Sequence, residues 1–108
     1  MRHNTSVADG WNSRISVFSA EGDFVRHVGV GKLTFPSGVT CSAFGEFVVA
    51  DTDAGQVVGF SASGEVLMVM PAGLCIGVAI HGSALICRVV HYPCRVNLDG
   101  AGELAVFT

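Results

Sequence analysis

Charged residues are scarce in this chain of 108 residues: Asp, Glu, Lys and Arg together make up 14%, and the net charge is −3. With six Lys and Arg against nine Asp and Glu, the chain lacks the basic surface that is typical of dedicated nucleic-acid-binding domains. Proline is rare too, at three residues, whereas hydrophobic residues reach 50% and there are 14 glycines. This composition argues against disorder and favours one well-packed β domain.

Signals for export or membrane insertion are also weak. The first ten residues, MRHNTSVADG, contain no apolar core of a secretory leader, so we expect a cytoplasmic protein whose four cysteines are reduced and mostly buried in strands. Residues 66–87 contain no charged side chain and are long enough to cross a bilayer. Pro71, Gly73, Gly77 and Gly82 interrupt this stretch at turn-like intervals, so we expect strands there and no membrane partner.

A pattern of residues recurs along the chain with a period near 40. Adding 42 to the residue number carries Val7-Ala8-Asp9 onto Val49-Ala50-Asp51, and Phe18-Ser19-Ala20 onto Phe60-Ser61-Ala62. Each repeat consists of β-branched and aromatic runs between clusters of Gly, Ser and Asp, which predicts strands only. All-strand units with this period predict a β-propeller, in which neighbouring blades bury each other's apolar faces.

We therefore predict an all-β, partial (open) β-propeller of about three four-stranded antiparallel blades, with the inner strand missing from the first blade. The strands of a blade are lettered a to d from the propeller axis outward. The single domain, 1–108, divides into blades at about 5–29, 33–70 and 74–108. Eleven strands are predicted. In the first blade, strands b to d lie at 6–9, 15–19 and 24–28. In the second blade, strands a to d lie at 38–42, 47–51, 56–60 and 65–70, and in the third they lie at 77–80, 84–89, 95–98 and 103–108.

Two further patterns support these blades. In each predicted c–d turn a glycine precedes an acidic residue, at Gly22, Gly64 and Gly102, and a tight hairpin needs the positive φ that glycine adopts easily. Five phenylalanines fall on predicted strands and are expected to fill the space between neighbouring blades. They are Phe18, Phe24, Phe47, Phe60 and Phe107.

The stretches VADGWNSRISVFSAEGDFVRHVG and GKLTFPSGVTCSAFGEFVVADTDAGQVVGFSASGEV resemble NHL repeats. The pattern of that family runs from a loop ending in Pro-x-Gly-Val to a Val-Ala-Asp strand end and a Gly-containing hairpin. The third repeat departs from it between Val89 and Val96, where Pro93 and Cys94 are expected in the turn before strand c. The resemblance implies a ring of about six blades, so three blades are either part of a longer propeller or half of a ring that two chains complete by self-association.

Because strands alternate in direction, the b–c turns and d–a loops emerge together on one side of the blades, which we call the loop face. These connections differ from blade to blade, and the loop face carries the only Trp, Tyr and Lys. Aromatic and Arg side chains on variable loops over a rigid scaffold are typical of partner-binding surfaces. Alternatively, the Trp and Tyr pack against neighbouring blades. The predicted partner-binding residues are Trp11, Arg14, Lys32, Asp53, Tyr92 and Arg95.

Chemistry-bearing motifs are weak by comparison. Asp9 and Asp51 end strand b, where an Asp carboxylate commonly accepts hydrogen bonds from the N–H groups of its turn, and a lone Asp-x-Asp at 51–53 lacks the further oxygen ligands of a calcium site. The spacing of Cys87, His91 and Cys94 matches no common zinc site, and no Gly-x-Ser-x-Gly motif is present. We expect no catalytic residues, no metal and no cofactor.

The sequence thus predicts a non-catalytic protein-interaction scaffold of NHL-type blades, whose protein partner it does not identify. An RNA-binding NHL propeller is the first alternative, and the net charge makes nucleic acid an unfavourable partner. A remnant of a lactonase-like or amidating-type propeller enzyme is the second. The inner strands GVTCS and GVAIH carry no Asp, Glu or Asn, the residues with which such enzymes hold a cation at the axis.

Overall fold

The computed structural model describes residues 4–42, 44–73, 75–81, 84–89 and 93–97, and side chains up to residue 80. These residues form ten strands in three antiparallel sheets, each with its strands in chain order. The protein is therefore all-β, with successive sheets arranged as propeller-like blades, as predicted. The predicted strand at 103–108 lies outside the described residues.

Sheet 1 contains three strands, sheet 2 four and sheet 3 three within the described ranges. Sheet 1 comprises β1 (Thr5–Asp9), β2 (Arg14–Phe18) and β3 (Phe24–Val28), and a 3-10 turn at Gly10–Asn12 follows β1. Sheet 2 comprises β4 (Pro36–Cys41), β5 (Phe47–Asp51), β6 (Gln56–Phe60) and β7 (Val66–Pro71). Sheet 3 comprises β8 (Cys75–His81), β9 (Ala84–Val89) and β10 (Pro93–Asn97).

The 42-residue repeat of the sequence is also a repeat of strand register. Asp9 pairs with Arg14 between β1 and β2, and Asp51 pairs with Gln56 between β5 and β6. The next pair of strands carries a register irregularity just before Phe18 in sheet 1 and just before Phe60 in sheet 2. β1 to β3 of sheet 1 therefore correspond to β5 to β7 of sheet 2, and β4 has no counterpart among the described strands of sheet 1.

The hairpin turns are built by a serine, a glycine and an acidic residue. In the β2–β3 turn the Ser19 Oγ accepts a hydrogen bond from the Asp23 N–H at 3.1 Å, and Gly22 has φ +91°. The β6–β7 turn repeats this with Ser61 and Gly64, so the predicted positive φ is confirmed in both turns. The β4–β5 turn uses the same Ser-x-x-Gly-acid pattern at 42–46, with Ser42 Oγ accepting from the Glu46 N–H, which the sequence analysis missed.

Sheets 1 and 2 bury one apolar layer between them. β2 and β3 contribute Ile15, Val17 and Val28, and β5 and β6 contribute the facing side chains Phe47, Val49, Val58 and Phe60. Arg26 bridges the same two sheets near the hairpin turns: its guanidinium lies 5.6 Å from the centre of the Phe47 ring and donates to the Ala62 carbonyl. This layer positions the loop face at the other end of the strands.

The opposite side of sheet 2 packs against β8. Val48, Ala50, Val57 and Met70 of sheet 2 form a second buried cluster with Cys75. Sheet 2 is therefore buried on both sides, which is why all five residues of β5 are buried. In a half-exposed sheet only alternate residues would be buried.

Two of the expected interblade phenylalanines are corrected by the structure. Phe24 on β3 is 54% exposed and Phe18 is half-buried, whereas Phe47 and Phe60 are buried in the core as predicted. The reason is position: Phe18 corresponds to Phe60, but its side of sheet 1 points away from sheet 2. Phe18 and Phe24 instead contact each other edge to face, with ring centres 6.0 Å apart.

Several strand boundaries also differ from the prediction. β4 begins at Pro36 and β8 at Cys75, each two residues before the predicted start. In both strands a bulge lies just before a glycine, Gly38 or Gly77, and the strand continues to pair with its neighbour on the far side of that bulge. Pro93 and Cys94, expected in a turn, belong to β10, where Pro93 is the first residue of the strand. Proline is tolerated there because a first residue need not donate to the ladder.

Of the two cysteines whose side chains the structure describes, one is buried in a strand as expected. Cys75 is buried at the start of β8, whereas Cys41 is exposed at the end of β4. Where it is described, the uncharged stretch from residue 66 lies in β7, the β7–β8 connection, β8 and β9. No helix among the described residues has the length and apolar character needed to cross a membrane.

Phe60, which is buried, and Phe18, which is half-buried, occupy corresponding positions in the repeat and give a matched test of the layer between sheets 1 and 2. We expect Phe60→Ala to lower the free energy of unfolding by about 3–5 kcal/mol, because it leaves a cavity in the layer between sheets 1 and 2. Phe18→Ala, at the corresponding position, should cost about 1 kcal/mol. Urea denaturation of both variants measures the difference, and equal losses would contradict the assignment of one interblade layer.

Candidate protein-interaction face

The connections that form the loop face are hydrogen-bonded to one another. The β1–β2 connection is linked to the β3–β4 loop, that loop to the β5–β6 turn, and that turn to the β7–β8 connection. Three hydrogen bonds make these links: Ser13 Oγ to the Thr34 carbonyl at 2.6 Å, Thr52 N–H to the Phe35 carbonyl at 3.1 Å, and Ala72 N–H to the Gly55 carbonyl at 2.9 Å. The loops of neighbouring sheets are thus held in fixed relative positions.

Asp51 is the centre of this arrangement. Its side chain is fully buried at the end of β5. One or both carboxylate oxygens accept hydrogen bonds from the Thr34 N–H at 3.0 and 3.1 Å, the Phe35 N–H at 2.8 Å and the Gln56 side-chain amide at 3.0 Å. A buried carboxylate is tolerated only when donors of this kind surround it. Asp51 therefore fixes the β3–β4 loop at the point where it enters β4.

The structural role predicted for Asp51 is thus supported, but the predicted donors are wrong. The expected donors were N–H groups of the turn that follows Asp51. The observed backbone donors, Thr34 and Phe35, lie 17 and 16 residues before it along the chain. Sequence spacing does not show this contact because it depends on β4 pairing with β5, which brings Pro36 opposite Asp51.

Trp11, on the β1–β2 connection, packs against the β3–β4 loop that Asp51 fixes. Its indole is 90% exposed and contacts the Phe35 ring edge to face, with ring centres 5.3 Å apart and planes at 90°. Gly10 makes room for this contact, since a Cβ at that position would lie 2.8 Å from the Phe35 ring. The ring of Phe35 thus supports an indole that presents most of its surface to solvent.

Asp9 occupies in sheet 1 the position that Asp51 occupies in sheet 2, with different partners. The Asn12 side-chain amide donates to both carboxylate oxygens of Asp9, at 3.1 and 3.0 Å. Arg14 Nε lies 3.4 Å from Asp9 Oδ2, and both side chains are about one-third exposed. A partly exposed ion pair of this kind contributes little to stability, so Asp9 is held locally rather than by a second sheet.

The structure places the predicted partner-binding residues as follows. Trp11 lies on the β1–β2 connection and Arg14 begins β2, where it pairs with Asp9. Lys32 and Asp53 are exposed on two other connections of the loop face. Tyr92 lies outside the described residues, and Arg95 lies in β10 with its side chain outside them.

Two contributors to this face were missed. Phe35 is absent from the predicted partner-binding residues, although it directly precedes the Pro-x-Gly at which strand a begins. Ser13 has φ +54° and takes the place of Gly55 in the corresponding turn of sheet 2, where φ is +65°. The sequence signal for this conformation is the 42-residue offset that places Ser13 at the position of Gly55, a residue type that adopts positive φ easily.

Among the side chains the structure describes, no three or more of His, Cys, Asp and Glu are grouped so as to hold a metal ion. The candidate set Cys87, His91 and Cys94 lies outside those side chains.

No family model matches the chain, and no curated protein matches it in sequence.

The two aspartates provide a matched test of this arrangement. Asp51→Ala should lower the free energy of unfolding by about 3 kcal/mol or more, because the Thr34 and Phe35 N–H groups and the Gln56 side-chain amide lose their buried acceptor. Asp9→Ala should cost below about 1 kcal/mol, because Asn12 is exposed and the ion pair with Arg14 is partly exposed. Urea titrations of the two variants decide the matter, and a large loss for Asp9→Ala with a small one for Asp51→Ala would be inconsistent with these roles.

Proposed function

We propose that this chain is a non-catalytic protein-interaction scaffold built from NHL-type propeller blades, and that the loop face around Trp11 binds a partner protein. The observation that carries the proposal is the 90% exposure of Trp11 on a supporting Phe35 ring. The largest side chains of a protein usually lie mostly buried. An indole held in solvent by ordered loops is suited to insertion into a pocket of another protein.

Rigidity supports this reading. The loop under Trp11 is fixed through both N–H groups and both carbonyls of Thr34 and Phe35. A side chain on a fixed loop loses less conformational entropy on binding than one on a mobile loop. Trp, with neighbouring charged residues at the rim, is also the composition typical of energetic hot spots. Lys32 and Asp53 are the exposed charges that the loop face offers for such a rim.

A partner can be found with a photo-crosslinking residue at position 11. The matched control carries the same residue at Ser63, which is exposed on the β6–β7 turn at the opposite end of the strands. Proteins that crosslink from position 11 but not from position 63 are purified and titrated onto the chain labelled with 5-fluorotryptophan. Trp11 is the only tryptophan, so the single fluorine resonance reports on this site alone.

We expect Trp11→Ala to weaken binding of the purified partner about 30-fold, because truncating a central interface Trp costs about 2 kcal/mol or more. Phe24→Ala, which removes an exposed aromatic ring from β3, serves as the control and should leave the affinity unchanged. The melting temperature of Trp11→Ala should stay within about 2 °C of the parent. A variant that unfolds, or that binds as tightly as the parent, would refute the role given to Trp11.

The dependence of binding on salt distinguishes the class of partner. Binding of a protein through an apolar ring should change little with salt concentration, whereas RNA binding should weaken steeply as counterions compete. If the partner captured at position 11 is an RNA and its binding shows this steep dependence on salt, the RNA-binding alternative replaces the present proposal.

A further inference from the structure

The inner edge of sheet 1 is the second surface that the structure singles out, independent of Trp11. In sheet 2, β4 pairs with β5 from Pro36 opposite Asp51 to Cys41 opposite Phe47. In sheet 1, the corresponding edge of β1 pairs with no strand among the described residues. An unpaired edge presents a row of N–H and carbonyl groups with which another extended chain can pair.

Comparison of β1 in sheet 1 with β5 in sheet 2 indicates what the β1 edge would bind. β1 and β5 have the same length, the same register to the next strand and the same terminal Asp. Val49 pairs with Val39 of β4, whereas its counterpart Val7 has no paired residue on that edge among the described strands. An added strand would cover the backbone edge beside Val7 in the way that β4 covers the edge of β5.

The carboxylate of Asp9 is the specific part of this edge. In sheet 2 the Thr34 N–H bonds both oxygens of Asp51, at 3.0 and 3.1 Å, just before β4 begins. In sheet 1 the Asn12 side-chain amide bonds both oxygens of Asp9 in the same two-pronged manner, at 3.1 and 3.0 Å. Asn12 is exposed and so can be displaced. Its amide makes to Asp9 the two bonds that the Thr34 N–H makes to Asp51.

We propose that the β1 edge binds an extended segment of a partner polypeptide by strand addition, and that Asp9 accepts its backbone N–H groups. The segment has the chemistry of residues 34–39, Thr-Phe-Pro-Ser-Gly-Val: two consecutive N–H donors, then Pro-x-Gly and a β-branched residue. The proline lies opposite Asp9, as Pro36 lies opposite Asp51. Main-chain pairing provides affinity, and the charge-assisted bonds to Asp9 fix the register.

The probe is a synthetic peptide that copies residues 32–41, with Cys41→Ser to prevent oxidation. Titrated onto the isotopically labelled full chain, it should shift the amide resonances of Thr5–Asp9 in a saturable way and slow their hydrogen exchange. The resonances of β6 and β7 should not move, since these strands lie away from the β1 edge in sheet 2. Absence of a saturable shift at millimolar peptide would overturn the proposal.

Two altered peptides test the contact without changing the protein. N-methylation of the amides that copy Thr34 and Phe35 removes the donors to Asp9 and should weaken binding about tenfold or more. N-methylation of the amide that copies Leu33, which is not a donor to Asp51, is the control and should have little effect. Equal affinities of the two peptides would contradict the role of the N–H groups.

Two variants of the protein complete the test. Asp9→Asn should also weaken binding of the unmodified peptide about tenfold, while Asp53→Asn, with the same change of charge on the loop face, should not. Asn12→Ala should tighten binding because the competing donor is gone. If ultracentrifugation shows instead a dimer in which a second copy protects the β1 amides, the edge belongs to self-association and the proposal fails.

Discussion

The carboxylate of Asp51 is the interaction on which the loop face depends. It is fully buried and gathers hydrogen bonds from a loop that precedes its sheet's inner strand and from the neighbouring strand β6. These bonds join the end of β5 to the start of β4, and through Phe35 they set the position of Trp11. A charge placed inside the protein for structural reasons therefore determines what the surface presents.

The same repeat has different consequences in sheets 1 and 2. Sheet 2 lies between two other sheets and is apolar on both sides, whereas one side of sheet 1 points away from sheet 2. On that side, strand alternation places Ser16 and His27 where sheet 2 carries Val58 and Val69. Asp9 likewise has the side chains of Asn12 and Arg14 as partners in place of backbone donors. Sheet 1 keeps the backbone of the repeat but presents more polar groups.

Much of the fold could be predicted from the sequence because its signals are local. β-branched runs, Gly-acid turns and the 42-residue offset locate the described strands to within about two residues, since each signal acts through neighbouring positions. The outer strand of the third blade, the NHL resemblance and the partner-binding role of the loop face stay predictions.

What the sequence could not show is set by contacts between distant residues. Phe18 and Phe60 occupy equivalent places in the pattern, yet only Phe60 has a sheet packed over it. The donors to Asp51 and the support of Trp11 by Phe35 likewise depend on how β4 docks, and a linear pattern carries no such information. The propensity of a residue for a strand does not state which side of the strand will be covered.

Amide hydrogen exchange, resolved residue by residue, tests most directly whether Asp51 holds this structure together. The account predicts that the Thr34 and Phe35 amides, although they lie outside any strand, exchange as slowly as those at the centre of β5, because both donate to a buried carboxylate. Gly31, exposed in the same loop, should exchange much faster. If Thr34 and Phe35 exchange as quickly as Gly31, Asp51 does not hold the loop, and the ordered face built on it does not exist.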